Sequence, residues 1–206
     1  GLSIMKKSRY FSTIYLYSTF KKDKTLQMIK AFLFDLDGVF YVDDQLLPGA
    51  NATLEWLQHR QIPYRFITNN TTLPRKQLTQ KLNRLGLKVS EDQLVSANYA
   101  GVLYLKKQGY ESCQLVLRDA AQIDYKEFDT DNDTPQAIVV GDIGESWDYQ
   151  LLNGLMMKLL EGAHLVALHK GRYFQTQNGL TIGCEGFCLK ISRKKLYDKN
   201  NVVFNY

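Results

Sequence analysis

Proline is scarce in this chain, four in 206 residues, and cysteine and histidine are scarcer at three each. With 14 glycines and no G-X-Y period, that composition excludes collagen-like and Pro-rich architectures. Cys113, Cys184 and Cys188 make an odd count and are read as reduced thiols, not as a disulfide framework. Cys184 and Cys188 are spaced C-x3-C with no second pair and no nearby histidine, and His59, His164 and His169 are scattered, so no zinc site is read. No run approaches the roughly 18 apolar residues of a membrane span. The stretch Phe11–Phe20 is short and interrupted by Ser and Thr. There is no sustained heptad and no repeat of about 20 to 50 residues.

What remains is a globular composition, 45% hydrophobic and 23% charged, in a chain long enough for one domain with an insertion. The net charge of +5 sits at the ends. Residues 1–30 carry seven Lys/Arg against Asp23, and residues 188–206 carry five against Asp198. The middle is therefore mildly acidic, which argues against a nucleic-acid partner.

From Lys30 onward apolar runs alternate with amphipathic stretches, the pattern of a parallel α/β sheet. Strands are expected at Lys30–Phe34, Tyr64–Ile67, Cys113–Leu117, Ala137–Val140 and Leu165–Leu168. Helices are expected from Pro48-Gly49-Ala50 to about Arg60, from Pro74 to Leu85 before Gly86, over Ala97–Lys107, and over Tyr149–Leu160. Ser90 and Gln93 form a capping-box pattern. Asn178-Gly179 reads as a two-residue hairpin turn between Arg172–Thr176 and Leu180–Ile182. Asp124–Asp133, with five acidic residues, reads as a solvated surface loop, and residues after Phe187 follow neither helix nor strand rhythm.

The chemistry concentrates in Phe32-Leu33-Phe34-Asp35-Leu36-Asp37-Gly38-Val39. A hydrophobic strand delivers two carboxylates to its C-terminal end, where open parallel sheets place their ligand crevice. Asp35 and Asp37 share one side by the period of two, and Gly38 permits a tight turn. Neighbouring carboxylates repel unless a cation lies between them, and such oxygen donors suit Mg²⁺. At the end of the next strand, Thr68-Asn69-Asn70 offers a hydroxyl, two amides and backbone N–H groups able to hold a phosphate.

These motifs resemble the haloacid dehalogenase superfamily of aspartate-nucleophile phosphatases, in its subgroup (IIA) with a large α/β cap. D-x-D-G-V at Asp35–Val39 is similar to the family's first motif and Thr68 to its second. The runs Leu47-Pro48-Gly49-Ala50, Ile138-Val139-Val140-Gly141 and His169-Lys170-Gly171-Arg172-Tyr173 carry the resemblance on, over about residues 28–187. The resemblance implies a Rossmann-like core with an inserted cap and a Mg²⁺-dependent phosphatase. Asp35 would be the nucleophile and Asp37 the general acid and base. Mg²⁺ would be held by Asp35 and the Asp37 carbonyl, and the substrate by Thr68, Asn69 and Asn70. The expected parts are a basic tail or leader at 1–27, core at 28–108, cap at 109–168, a return to core at 169–187 and an atypical tail at 188–206.

The resemblance also implies a later lysine and an acidic G-D motif, and neither is read downstream of Phe187. Gly141-Asp142 is read as part of the cap, with Asp142 lining its substrate face or making a turn. Two functional expectations follow: a phosphatase acting on a small phosphorylated substrate, or a catalytically inactive relative acting as a binding protein. Neither a membrane nor a nucleic acid is expected as partner, and a homo-oligomer stays open. A cytoplasmic location is expected, with Met28 as the natural start; the alternative is organelle targeting by residues 1–27.

Overall fold

The computed structural model describes residues 30–169 in full, together with the backbone of 173–176, 179–182 and 202–203. Contacts divide the chain into two compact units: residues up to 68 with 79–95, and residues 69–78 with those from 96 on.

In the first unit, β1 (Phe32–Phe34) pairs in parallel with β4 (Tyr64–Thr68), Phe34 lying opposite Phe66. With β5 (Leu94–Ser96) they form a sheet of order β1-β4-β5. The connecting helix α1 (Ala50–His59) buries Ala50, Leu54 and Leu57, spacings of four and three that line one helical face. Its N-cap Gly49 sits at φ 89°, a left-handed backbone that favours glycine. Aromatic rings fill the core beneath the sheet: Phe34, Phe40 and Phe66 meet at centroid separations of 5.2 to 6.3 Å.

A short hairpin, β2 (Tyr41–Val42) with β3 (Gln45–Leu46), follows β1 and was not legible in the sequence, because two-residue strands carry no periodicity. Helix α2 (Arg75–Arg84) buries Leu78 and Leu82, and Gly86 at φ 98° ends that stretch as expected. The Ser90–Gln93 capping box is present, but it caps a single 3₁₀ turn that leads straight into β5.

The second unit holds a four-stranded parallel sheet of order β11-β8-β7-β6, made of β6 (Cys113–Val116), β7 (Ala137–Val140), β8 (His164–Ala167) and β11 (Val202–Val203). All four residues of β7 are fully buried, which explains its unbroken apolar run. Ala137 and Val139 join one core cluster with Ala97, Val102 and Leu105 of α3 (Ala97–Gln108). Ile138 and Val140 join another with Leu155 of α5 (Tyr149–Leu160). Ser96 starts α3 by accepting the Tyr99 N–H at 3.1 Å, and Asp148 starts α5 by accepting that of Leu151 at 2.7 Å. The sequence reading keeps residues 97–108 with the first part, whereas by contacts α3 groups with the second unit.

Three expectations need correction. The acidic stretch 124–133 is not simply solvated: after α4 (Asp119–Gln122) comes a 3₁₀ turn, Ile123–Tyr125, whose Tyr125 is fully buried. The Tyr125 hydroxyl donates to the Asn98 carbonyl at 2.8 Å. Asp124 Oδ2 accepts from the Arg75 N–H and from Asn98 Nδ2, each at 3.0 Å, so these side chains point inward despite the acidic neighbours. Second, Val202–Val203 pairs with β8, a strand too short to signal itself after Phe187. Third, β9 (Tyr173–Thr176) and β10 (Gly179–Ile182) do form the antiparallel hairpin, but Gly179 pairs with Thr176 and so belongs to the second strand, not to the turn. Residues 1–29 and most of 183–206 lie outside the described residues, as do the readings that fall on them.

Cys113, in the middle of the second unit, is fully buried, and burial followed by the nearby Asp129 charge pushes its thiol up to about 12. The thiolate is the reactive species. Cys113 should therefore resist iodoacetamide at about pH 8 in the folded chain and react once it is unfolded in urea. Site-resolved mass spectrometry checks this, and rapid labelling of Cys113 in the native chain would contradict it.

Candidate active site

The parallel register of β1 and β4 brings their C-terminal ends to one edge of the first unit's sheet, with Asp35 and Asp37 leaving β1 there and Thr68 closing β4. Between the two aspartates Leu36 is fully buried while Asp35 and Asp37 are exposed, the alternation expected of an extended segment. The turn is fixed by its backbone: the Leu36 carbonyl accepts the Phe40 N–H at 2.9 Å, and the Gly38 N–H donates to the Tyr41 carbonyl at 2.8 Å. Gly38 sits at φ 72° with nothing within 4 Å of the position a Cβ would take, so glycine is needed there for its backbone and not for space. The Asp35 carboxylate accepts the Leu36 N–H at 2.8 Å.

Charge accumulates at this edge. Although Asp37 keeps surface exposed, the protein around its carboxyl desolvates it and raises its pKa above the ordinary 3.8; the Asp35 charge raises it further, and Asp43 adds a smaller push. Lys81 and the Gly38 N–H oppose the rise. Burial first, then the charges of Asp37, Asp35 and Asp44, pushes the Tyr41 phenol to about 12, so it stays neutral. Lys81 Nζ lies 3.1 Å from Asp44 Oδ1 and 5.2 Å from the centre of the Tyr41 ring. Lys81, Tyr41, Asp43 and Asp44 went unread in the sequence, because an ordinary lysine on a polar helix face gives no local sign of which carboxylates it meets.

A raised Asp37 pKa has a consequence for stability. The folded state holds the Asp37 proton more tightly than the unfolded chain does, so this carboxyl weighs least on folding below pH 3.8 and progressively more as pH rises through the folded-state value. Asp37→Asn should therefore stabilise the chain at neutral pH, with the gain shrinking as pH falls toward 3.8. Urea midpoints at several pH values test this; a midpoint that falls at neutral pH would contradict it.

Thr68 is buried at 3% exposure. Asn69 is exposed, and Asn70 spends its side chain on its own loop. Asn70 Oδ1 accepts the N–H groups of Thr72 at 3.2 Å and Leu73 at 3.0 Å, and its carbonyl accepts the Asn98 N–H at 3.2 Å. Asn70 thus shapes the chain after Thr68. Asp142 accepts the Gly144 N–H at 2.7 Å and contacts Arg118 Nη2 at 3.3 Å, which makes it a turn residue.

A family model described as haloacid dehalogenase-like hydrolase matches residues 32–130, a span that includes Asp35, Asp37 and Thr68. Over that span the chain resembles the haloacid dehalogenase-like hydrolases. It is 35% identical over 159 residues to the bovine (Bos taurus) haloacid dehalogenase-like hydrolase domain-containing protein 2, covering 77% of this chain and 60% of the relative. It is 31% identical over 165 residues to the human (Homo sapiens) phospholysine phosphohistidine inorganic pyrophosphate phosphatase, again covering 77% and 60%. The chain therefore spans about 60% of the length of these curated relatives. In fold it is similar to 4-nitrophenylphosphatase from Thermotoga maritima, with a TM-score of 0.73 at 23% identity over 85% of this chain and 68% of that one. NagD from E. coli K-12 gives 0.69 at 22% identity over 80% and 65%. These likenesses establish the mixed α/β, Rossmann-like fold.

Among the described residues no three His, Cys, Asp or Glu side chains cluster as a metal site. The Asp35–Asp37 pair nevertheless fits a hard cation, since both offer oxygen donors and Asp35 adds to the strain on Asp37 that a positive ion would relieve.

Proposed function

We propose that this chain is a haloacid dehalogenase-like hydrolase, a Mg²⁺-dependent phosphatase of small phosphorylated molecules working through an aspartyl-phosphate. The observation that carries the reading is the arrival of Asp35, Asp37 and Thr68 at one sheet edge through the β1–β4 register. An Asp35 carboxylate oxygen attacks phosphorus as the bond to the leaving oxygen breaks. Asp37, whose raised pKa favours holding a proton, donates it to that oxygen. Asp37 then takes a proton from water as the water oxygen attacks phosphorus; inorganic phosphate leaves and Asp35 is restored. Thr68 hydrogen-bonds the transferring phosphoryl group, and Asn69 and Asn70 shape the pocket. Mg²⁺ would be held by the Asp35 carboxylate and the Asp37 carbonyl and would offset charge between nucleophile and phosphate. Residues 109–168 serve as the cap, and reduced cysteines fit a cytoplasmic setting.

The test is hydrolysis of p-nitrophenyl phosphate by the purified chain. Turnover should need Mg²⁺ and fall to background with excess EDTA, then return when Mg²⁺ is restored. No turnover from a folded chain would favour a binding protein instead, and turnover indifferent to EDTA would remove the metal from this reading.

A further inference from the structure

A groove of about 460 Å³ lies beside the ends of β6 and β7 in the second unit, and the chemistry assigned to Asp35, Asp37 and Thr68 makes no use of it. Its size falls within the roughly 300–1,000 Å³ of small-molecule sites. Val116, Ile143 and Leu151 contribute apolar lining. Arg118 and Asp119, adjacent in the chain and of opposite charge, also line it, as does Gln114. Gln114 Oε1 is shut away from solvent with no hydrogen-bond partner among the described residues, a costly state for an acceptor.

Arg118 is held in place. Its Nη2 contacts Asp142 Oδ2 at 3.3 Å, and Asp142 is itself braced by its own N–H donating to Thr71 Oγ1 at 3.2 Å. A Cβ at Gly144 would stand 3.0 Å from the same Nη2, so glycine leaves the guanidinium room at this position. The charges decide what would bind. Asp119 and Asp142 outweigh Arg118, which disfavours a simple anion, while a simple cation would meet the guanidinium. A ligand with both charges close together and a short apolar branch satisfies every group.

We propose that this groove binds the zwitterion of a free aliphatic α-amino acid. The carboxylate pairs with Arg118 in a fork. The ammonium donates to Asp119 and to Gln114 Oε1, which a turn of the amide brings to it, and the side chain lies on Val116, Ile143 and Leu151.

Trp147 packs on the same cluster as these apolar residues and reports occupancy by fluorescence. The chain has two tryptophans, so Trp56→Phe isolates its signal. Titration with L-leucine should give a saturable change with a Kd below about 1 mM, and isovalerate or isoamylamine, each carrying one charge, should bind at least ~10-fold more weakly. Arg118→Met should weaken leucine binding at least ~10-fold with unchanged circular dichroism, and Arg118→Lys should recover part of it. Should Arg118→Met misfold, Asp119→Asn is read in its place with the same loss expected. Equilibrium dialysis with labelled leucine covers a silent fluorophore. The proposal is overturned if the folded chain retains no leucine at about 10 mM, if isovalerate binds as tightly, or if the folded variant binds like the parent. No readout involves phosphate hydrolysis, so the result stands apart from the phosphatase reading.

Discussion

Replacing Asp35 by Asn is expected to bring p-nitrophenyl phosphate hydrolysis to background, a fall in kcat of at least about 10³-fold. An amide is nearly the same size as the carboxylate, and its oxygen can still accept the Leu36 N–H now bonded to Asp35 at 2.8 Å. The turn should therefore persist while the nucleophile is lost. Asp37→Asn should behave differently. Removing a general acid and base costs about 10²–10⁴-fold, and the loss should be smallest for p-nitrophenol, which departs readily without a proton. Comparing p-nitrophenyl phosphate with an alkyl phosphate separates the two roles. Equal losses on both substrates for Asp37→Asn would remove its proton-donor assignment, and an Asp35→Asn chain that turns over at a tenth of the parent rate or better would remove the nucleophile (roughly the reach of a merely positioning residue).

The largest effect on stability should come from Tyr125→Ala, at about 3–5 kcal/mol. Among the described residues Tyr125 is the largest fully buried side chain of the second unit, packed with Phe128 at a ring separation of 6.2 Å and against Gly101, whose missing Cβ makes room for its hydroxyl. Tyr125→Phe should cost less, about 1–3 kcal/mol, because the ring stays and only the bond to the Asn98 carbonyl is lost. Urea unfolding followed by far-UV circular dichroism measures both. A Tyr125→Ala chain within about 1 kcal/mol of the parent would mean that the neighbouring backbone collapses into the gap.

Legibility in the sequence followed the reach of each signal. The helix at Tyr149–Leu160 and the strand at Ala137–Val140 match the structure to the residue, since long amphipathic or wholly apolar runs announce themselves. The D-x-D-G turn and Thr68 were visible because the two motifs, each common alone, are specific in combination at the ends of successive strands. The hairpin Tyr41–Leu46 and the strand Val202–Val203 were missed because two residues cannot display a period. The inward turn of Asp124 and Tyr125 was missed for a different reason: their partners Asn98 and Arg75 lie 26 residues or more away along the chain, beyond any local pattern. The same distance hid Lys81 behind the carboxylates near residue 37.

The interleaving of the two units carries a consequence for biosynthesis. The first unit needs residues 79–95, which are translated only after residues 69–78 of the second. At the usual roughly 5–20 residues per second, β1 must wait seconds for β4 and longer for β5 before its sheet is complete. A ribosome that stalls near residue 78 therefore holds a nascent chain whose exposed aromatic strand has no finished sheet to join, the state most in need of a chaperone.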